Sequence, residues 1–162
     1  MEVIIRNGTA DDIPQVFNLI NELATFEKAP NEVTNTTSAM IEDGFGNNPA
    51  YFLTVAESEN KIVGIAIYYF KYSTWKGKGV FLEDIIVTER FRGNGIGKKL
   101  FEAVVTFAYE QNANQVHWQV LDWNAEAIKF YKKYNASFDA TWIDCKLNVN
   151  QISQLANQSK LL

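Results

Sequence analysis

A glycine-rich segment near the middle of the chain constrains the fold most strongly. This segment, Arg92-Gly93-Asn94-Gly95-Ile96-Gly97-Lys98-Lys99, follows an apolar run at 80–87 and precedes an amphipathic run that starts near Gly97. The apolar run predicts a strand and the amphipathic run predicts a helix. A glycine-rich turn between strand and helix lets backbone N–H groups converge on an anion, and the positive end of the helix dipole adds to the attraction. The segment therefore predicts a site for a phosphate-bearing ligand.

The spacing of the glycines excludes two common phosphate loops. A Walker A loop needs Gly, four residues and then Gly-Lys-Ser/Thr, whereas Arg92 stands five residues before Gly97 and Lys98 is followed by Lys99. A dinucleotide fingerprint needs Gly-x-Gly-x-x-Gly after the first strand of a βαβ unit, but these glycines fall at 93, 95 and 97. The pattern that remains is Arg-x-x-Gly-x-Gly, and an ordinary solvated turn is the alternative interpretation.

Composition restricts the class of protein. The 162 residues, 47% of them hydrophobic, predict one domain over 1–148 followed by a polar C-terminal tail at 149–162. The net charge of −4, without a long basic run, argues against a nucleic-acid partner. One cysteine and one histidine argue against a disulfide or a metal site. The chain has no apolar run near the roughly 18 residues of a membrane span and no signal peptide, so we expect a cytoplasmic protein without a membrane partner.

The periodicity along the chain predicts an α/β (α+β) fold. Thr9 and Asp12 resemble a capping box at the start of the first helix, which ends before Pro30. The element order is β-α-α-β-β-β-α-β-α-β, which predicts a mixed, mainly antiparallel central sheet flanked by helices. The predicted strands cover 3–6, 51–57, 61–72, 80–88, 115–121 and one or two stretches within 138–147. After the first helix, which follows the capping box, the predicted helices cover 38–43, 97–112 and 125–134.

The glycine motif and the element order together resemble the GNAT superfamily of N-acetyltransferases. The matching residues are Arg92, Gly95 and Gly97 of Arg-x-x-Gly-x-Gly, which corresponds to the superfamily's loop for the diphosphate of acetyl-CoA. This resemblance implies acetyl-CoA as co-substrate, no metal, and a GNAT-like sheet. The implied cofactor-binding residues are Ile85, Ile86 and Val87 of the preceding strand, and Arg92, Gly93, Asn94, Gly95, Ile96, Gly97 and Lys98 of the loop.

A second segment resembles the part of the superfamily that lies near the coenzyme sulfur. Asn124 and Tyr131 fit the pattern Asn-x-x-Ala-x-x-Phe-Tyr and are seven residues apart, about two helical turns, so they face the same side. The resemblance implies that Asn124 lies near the coenzyme arm and that Tyr131 is catalytic. A tyrosine hydroxyl can donate a hydrogen bond to a developing thiolate. Alternatively, Phe130 and Tyr131 are core aromatic residues.

An acidic pair precedes the glycine motif. Glu83 and Asp84 are adjacent in an apolar strand, where carboxylates are unfavourable unless they have a function. Neighbouring strand residues point to opposite faces unless a bulge intervenes. One carboxylate can attract an ammonium and the other can accept its proton, with the assignment left open, or the pair forms an edge-strand salt bridge. Further candidates for binding a cationic substrate, through charge or cation–π contact, are Glu27, Glu32, Trp75 and Trp142.

At finer grain the chain resembles the diamine and thialysine N-acetyltransferase family. The resemblance is carried by Tyr72-Ser73-Thr74-Trp75-Lys76-Gly77 and Leu121-Asp122-Trp123-Asn124, among other segments. It implies direct attack of a small primary amine (a diamine, polyamine or lysine-like amino acid) on acetyl-CoA in a ternary complex, and a homodimer. Ala140-Thr141-Trp142 replaces the family's Glu-Gly-Trp. The lost acidic group favours a lysine-like amine over spermidine.

Three other functions fit parts of the pattern. A catalytically silent acyl-CoA-binding or regulatory module would keep the glycine loop without needing the acidic pair or Tyr131. A protein or peptide N-acetyltransferase would need an open groove. An acyl-enzyme built on Cys145 and His117 is the third, although His117 alternates with apolar residues in the manner of a residue on a sheet face.

Overall fold

The structure is a computed structural model that describes residues 2–159. The chain divides into two compact units, of which the first ends at Gln119 and the second begins at Val120. None of the helices in the described part of the chain is long and apolar enough to cross a membrane.

The first unit contains a five-stranded sheet. Its strands are β1 Ile4–Asn7, β2 Phe52–Ser58, β3 Lys61–Ser73, β4 Gly77–Val87 and β5 Val116–Trp118. They lie in the order β1-β2-β3-β4-β5. The pairs from β1 to β4 are antiparallel, whereas β5 runs parallel to β4. A parallel pair needs a crossover connection, which the third helix supplies, so the mixed, mainly antiparallel architecture is confirmed.

Three helices belong to this unit: α1 Ile13–Phe26, α2 Thr37–Phe45 and α3 Ile96–Glu110. The predicted capping box is present, because the Asp12 carboxylate accepts hydrogen bonds from the backbone N–H and the hydroxyl of Thr9 at 2.8 and 3.0 Å. A 3-10 turn, Ala10–Asp12, nevertheless separates this cap from α1. The local signal therefore predicted where the chain turns into helix, but not the form of its first turn.

Helices α1 and α3 pack on opposite faces of the sheet. Ile65 of β3 belongs to the same buried cluster as Ile13 and Val16 of α1. The preceding residue, Gly64, faces α3, since a Cβ atom built on it would lie 3.0 Å from Leu100. Adjacent strand residues point to opposite faces. The sheet is therefore covered on both sides, which explains why β3 is buried along a continuous run from Ile62 to Tyr68.

The second unit contains α4 Ala125–Lys132 and α5 Val149–Ser159. Asn135 follows α4 with φ 55°, the left-handed conformation that commonly follows a helix end. The predicted strands within 138–147 are wrong, because this described segment contains no strand. Asp139 accepts hydrogen bonds from the Thr141 N–H, the Thr141 hydroxyl and Trp142 Nε1 at 2.9, 2.6 and 2.9 Å. This local turn competes with an extended conformation.

Candidate active site

A β-bulge brings the acidic pair to one side of β4. The register of β3 and β4 shifts at this point: Ile67 is opposite Asp84, whereas the next residue, Tyr68, is opposite Leu82. No residue of β3 is therefore directly opposite Glu83 in the strand register. A bulge re-aims side chains that would otherwise alternate. Both Glu83 and Asp84 consequently line the same cavity, which has a volume of about 390 Å³.

The cavity combines apolar walls with these carboxylates. Phe17 and Ile20 of α1, Met40 of α2 and Ile67 of β3 contribute apolar side chains. Asp43 of α2 also lines the cavity and adds a further carboxylate. Small-molecule sites commonly have this character, with mostly apolar walls and a few polar groups that orient the ligand. The cavity suits a ligand that carries a cation on an apolar stem.

The carboxylates are held in an environment that favours a bound cation. Burial, the neighbouring charge of Glu83 and the charge of Glu27 together raise the pKa of Asp84 to about 6. Burial also raises the pKa of Glu27. Glu83 accepts a hydrogen bond of 3.0 Å from the Tyr69 hydroxyl, and burial together with Glu83 raises the pKa of Tyr69 to about 12. Like charges disfavour one another's ionised forms, and an ammonium among them would relieve that repulsion.

The remaining predicted substrate residues are more dispersed. Glu32 is exposed in a 3-10 turn, Pro30–Glu32, and Trp75 is 83% exposed in the turn between β3 and β4. In the described part of the chain, neither belongs to the lining of the cavity. Trp142 lies in the second unit. Contacts of these three residues with a substrate stay predictions.

The glycine-rich segment forms the predicted turn between β4 and α3. Gly93 and Gly95 have φ angles of 78° and 74°, a left-handed conformation that glycine adopts without strain. Gly95 is the N-cap of α3 and accepts the first helical hydrogen bond from the Lys99 N–H, so the N–H groups of Ile96, Gly97 and Lys98 begin the helix without intrahelical partners. The amide of Asn94 donates to the carbonyls of Phe91 and Arg92 at 3.1 Å each and closes the turn. Such a helix start can bind an anion.

Other residues predicted to bind the coenzyme lie next to this turn: the end of β4, Lys98 and Arg92. The pairing of β4 with β5 covers only Val80–Leu82, so β5 does not cover the edge of β4 at 85–87. Ile86 is buried, and Lys98 is exposed and lies 3.8 Å from Glu102. The Arg92 side chain contacts β4 and α1: its Nε donates to the Val87 carbonyl at 2.8 Å, and its Nη2 lies 3.5 Å from Glu22.

The second unit carries the other two predicted residues. Asn124 caps α4, since its Oδ1 accepts a hydrogen bond of 3.2 Å from the Ala127 N–H. Tyr131 lies on α4 and is 5% exposed, and burial raises the pKa of its hydroxyl to about 12. Tyr131 is therefore protonated at neutral pH and able to donate. His117 lies in β5, as expected for a sheet residue, and its Nδ1 is 2.9 Å from Lys71 Nζ.

The sequence model of the acetyltransferase (GNAT) family matches residues 13–136. The chain belongs to this family. The match spans the acidic pair, the glycine-rich turn and Tyr131, and it confirms the resemblance found in the sequence. This GNAT protein is accordingly an acyltransferase, in a family that uses acetyl-CoA as co-substrate.

Relatives of known activity extend over most of the chain. A thialysine N-epsilon-acetyltransferase of Bos taurus is 39% identical over 142 residues, which are 83% of this chain and 84% of the relative. The enzyme of the same name from Mus musculus is 36% identical and covers 95% of this chain and 97% of its own length. The solved structure of an integron cassette protein from the mobile metagenome of V. cholerae has a TM-score of 0.77 at 22% identity, covering 96% and 98% of the two chains. That structure supports the fold alone.

Three residues of the first unit were missed by sequence reasoning: Tyr69, Asp43 and Glu22. Tyr69 was assigned to a strand and to a segment that resembles the family but was given no role, and its bond to Glu83 depends on the pairing of β3 with β4. Asp43 occurs in the segment Glu42-Asp43-Gly44-Phe45-Gly46. The adjacent glycines indicate the end of a helix, and they do not indicate that Asp43 lines a cavity. Glu22 lies on an otherwise ordinary amphipathic helix. No local signal separates these side chains from solvated ones.

Proposed function

We propose that this GNAT protein transfers the acetyl group of acetyl-CoA to a primary amine of a small molecule, by direct attack in a ternary complex. The amine is a diamine, a polyamine or a lysine-like amino acid, with the lysine-like class preferred. The observation that carries this proposal is the β-bulge that turns Glu83 and Asp84 into one apolar-walled cavity. Paired carboxylates at the end of an apolar pocket match an ammonium on an alkyl stem.

The amine is bound as its ammonium and must lose a proton before it attacks. Asp84, whose pKa is raised to about 6, accepts this proton directly or through a water molecule, while Glu83 holds the cation and the nearby charge of Glu27 adds to the attraction. A base whose pKa lies near the working pH is efficient in such a step. The nitrogen lone pair then forms the C–N bond at the thioester carbonyl. The C–S bond breaks, and Tyr131 donates a hydrogen bond or its proton to the departing thiolate.

The acetyl donor is held by the chain around the glycine turn. Backbone N–H groups of residues 93–98 bind the diphosphate, supported by the dipole of α3 and by Lys98. The edge of β4 at Ile85, Ile86 and Val87, which β5 does not cover, hydrogen-bonds to the pantetheine arm, and Asn124 is a further residue that contacts this arm. The homodimer implied by family resemblance is part of this proposal, and sedimentation at working concentrations tests it.

Release of free thiol from acetyl-CoA in the presence of single amines tests the function directly. We expect turnover with thialysine or lysine to exceed turnover with spermidine and spermine, a preference also supported by the relatives named thialysine N-epsilon-acetyltransferases. Fastest turnover with spermine would reverse this substrate order. Binding of acetyl-CoA in a calorimeter, with no thiol release from any amine, would instead indicate a silent acyl-CoA-binding module.

Replacing Gly95 with valine is expected to weaken acetyl-CoA binding by about tenfold or more, since a left-handed non-glycine residue costs about 1–3 kcal/mol. The φ angle of Gly95 is 74°, which a β-branched residue avoids, so the turn changes shape and its N–H groups lose their common direction. Calorimetric titration with acetyl-CoA measures the change in Kd.

Two variants control this titration. Gly77→Val introduces the same strain in the β3–β4 turn, where φ is 81°, and should leave the Kd unchanged. Gly95→Asn keeps access to the left-handed conformation but adds a side chain, so it distinguishes backbone geometry from steric block. If Gly95→Val binds acetyl-CoA as tightly as the parent protein, the diphosphate lies elsewhere.

Replacing Asp43 with asparagine is expected to reduce the preference for diamines over monoamines of the same chain length. Asp43 lines the cavity together with Glu83 and Asp84, so it can pair with a second cation while the acidic pair holds the reacting nitrogen. The change in the ratio of kcat/KM values should be about fivefold, the upper range of an exposed ion pair. Glu42→Gln removes a neighbouring charge of α2 that does not line the cavity in the described structure. An unchanged ratio in Asp43→Asn would rule out this second contact.

A further inference from the structure

The carboxylate of Glu22 joins α1 to the chain segment that leads into the glycine turn. Its Oε2 accepts a hydrogen bond of 2.8 Å from the Thr88 hydroxyl, across 66 residues of sequence. Its Oε1 accepts a hydrogen bond of 2.9 Å from the backbone N–H of Glu89 and lies 3.5 Å from Arg92 Nη2. One side chain of α1 therefore contacts the start and the end of the segment 88–92. We call these contacts the Glu22 clamp.

Arg92 contributes to the clamp from the other end. Its Nε donates to the Val87 carbonyl at 2.8 Å, and its guanidinium carbon lies 5.4 Å from the centre of the Phe26 ring, within the range of a cation–π contact. The contacts of this guanidinium tie the end of β4 to α1. The sequence interpretation had assigned the positive charge of Arg92 to the coenzyme phosphates.

We propose that Glu22 is a positioning residue for the acetyl-CoA site and that Arg92 acts mainly through it, as a brace of the glycine turn. This inference rests on the proposed function, in which the N–H groups of residues 93–98 bind the diphosphate. Gly93 and Gly95 make the turn flexible when it is not restrained. Donors that are held in place before the ligand arrives lose less conformational freedom on binding. The clamp supplies this restraint from outside the turn.

Electrostatics and bracing predict opposite signs for the removal of Glu22. Coenzyme A is a polyanion, so deleting a nearby negative charge should by Coulomb's law strengthen its binding. Loss of the brace should weaken it. The same substitution also frees Arg92 to turn toward a phosphate, which again would strengthen binding if Arg92 were a direct ligand. Weaker acetyl-CoA binding after removal of Glu22 would therefore indicate bracing, because both charge effects predict stronger binding.

Titration of the full chain with acetyl-CoA tests the clamp through Glu22→Ala and Glu22→Gln. We expect Glu22→Ala to raise the Kd about tenfold, the effect of losing one charge-assisted hydrogen bond. Glu22→Gln should have a smaller effect because the amide keeps an acceptor oxygen. In steady-state kinetics the KM for acetyl-CoA should rise, while the KM for the amine and kcat at saturation stay near their original values. A general loss of structure would change all three.

A double-mutant cycle separates the two roles of Arg92. If Arg92 acts through Glu22, Glu22→Gln combined with Arg92→Gln should weaken binding little more than the stronger single variant. If it binds phosphate independently, the two effects add. Glu102→Gln removes one negative charge from α3, and on charge alone it should leave acetyl-CoA binding unchanged or slightly tighter.

The results for the Glu22 and Gly95 variants distinguish a failure of the Glu22 clamp from a failure of the proposed coenzyme site. Unchanged or tighter binding in Glu22→Ala, or additive losses in the cycle, would overturn the clamp. If Gly95→Val weakens binding and Glu22→Ala does not, the clamp alone fails and the site stands. If neither variant changes the affinity, the diphosphate does not bind at the glycine turn. Should Glu22→Ala not fold, the Glu22→Gln variant and the cycle decide the question.

Discussion

Replacing Asp84 with asparagine should lower kcat for a primary amine by about 10²–10⁴-fold, the usual contribution of a general base. Asparagine keeps the size and the hydrogen-bonding oxygen of the side chain but cannot accept the proton of the ammonium. Asp84 is the half-buried member of the acidic pair, and its pKa is raised to about 6 by burial and by Glu83 and Glu27. Thiol-release kinetics at saturating acetyl-CoA and amine measure the effect.

The pH dependence of kcat/KM is a second test of Asp84 as the general base. A base must be deprotonated to act, so kcat/KM of the parent protein should rise with pH through the pKa of Asp84, near 6. The Asp84→Asn variant should lack this acidic limb. Glu83→Gln serves as the matched variant, since it neutralises the exposed neighbour. If Glu83→Gln loses the limb and Asp84→Asn retains it, the base is Glu83.

Thermal stability controls for misfolding of Asp84→Asn. The folded-state pKa of Asp84 lies near 6, above its ordinary value of 3.8, so the folded protein binds this proton more tightly than the unfolded chain. The resulting stabilisation is complete below pH 3.8 and disappears as pH rises through about 6. At pH 7 the neutral asparagine should therefore give a Tm at least equal to that of the parent. A large drop in Tm would attribute the lost activity to unfolding.

Replacing Tyr131 with phenylalanine should lower kcat by about 10²–10³-fold, the loss observed for one donor to a developing anion. The pKa of Tyr131 is raised to about 12 by burial, so the hydroxyl carries its proton throughout the physiological range. Phenylalanine preserves the aromatic contact of 5.2 Å with Phe130 and removes only the donor. The affinity for acetyl-CoA, measured by calorimetry, should stay the same because the donor acts on the thiolate that forms later.

Tyr134→Phe is the matched control for this variant. Tyr134 follows α4, and its ring lies 5.4 Å from that of Phe130, so the two tyrosines share an aromatic neighbour. We expect Tyr134→Phe to retain the parental kcat. If Tyr131→Phe also retains it, Tyr131 is a structural aromatic residue and another group protonates the thiolate.

Local patterns were sufficient wherever the structure is governed by residues close in sequence. The apolar and amphipathic runs on either side of the glycine-rich segment predicted a strand, a turn and a helix start, and all three are present. The Thr9–Asp12 capping box is likewise confirmed. Local reasoning failed at 138–147, where one or two strands were predicted but the side-chain hydrogen bonds of Asp139 form a turn.

The sequence by itself determined the family, the order of the main elements as far as α4 and the chemical groups available for catalysis, because these depend on motifs of neighbouring residues. Only the tertiary structure decided that Glu83 and Asp84 share one cavity, since this depends on a bulge in the pairing with β3. It also decided that Glu27 acts on Asp84 and that Arg92 contacts Glu22. The physical reason is common to all three: strand register and helix packing bring together residues that are far apart in the chain, and no local pattern encodes which partners meet.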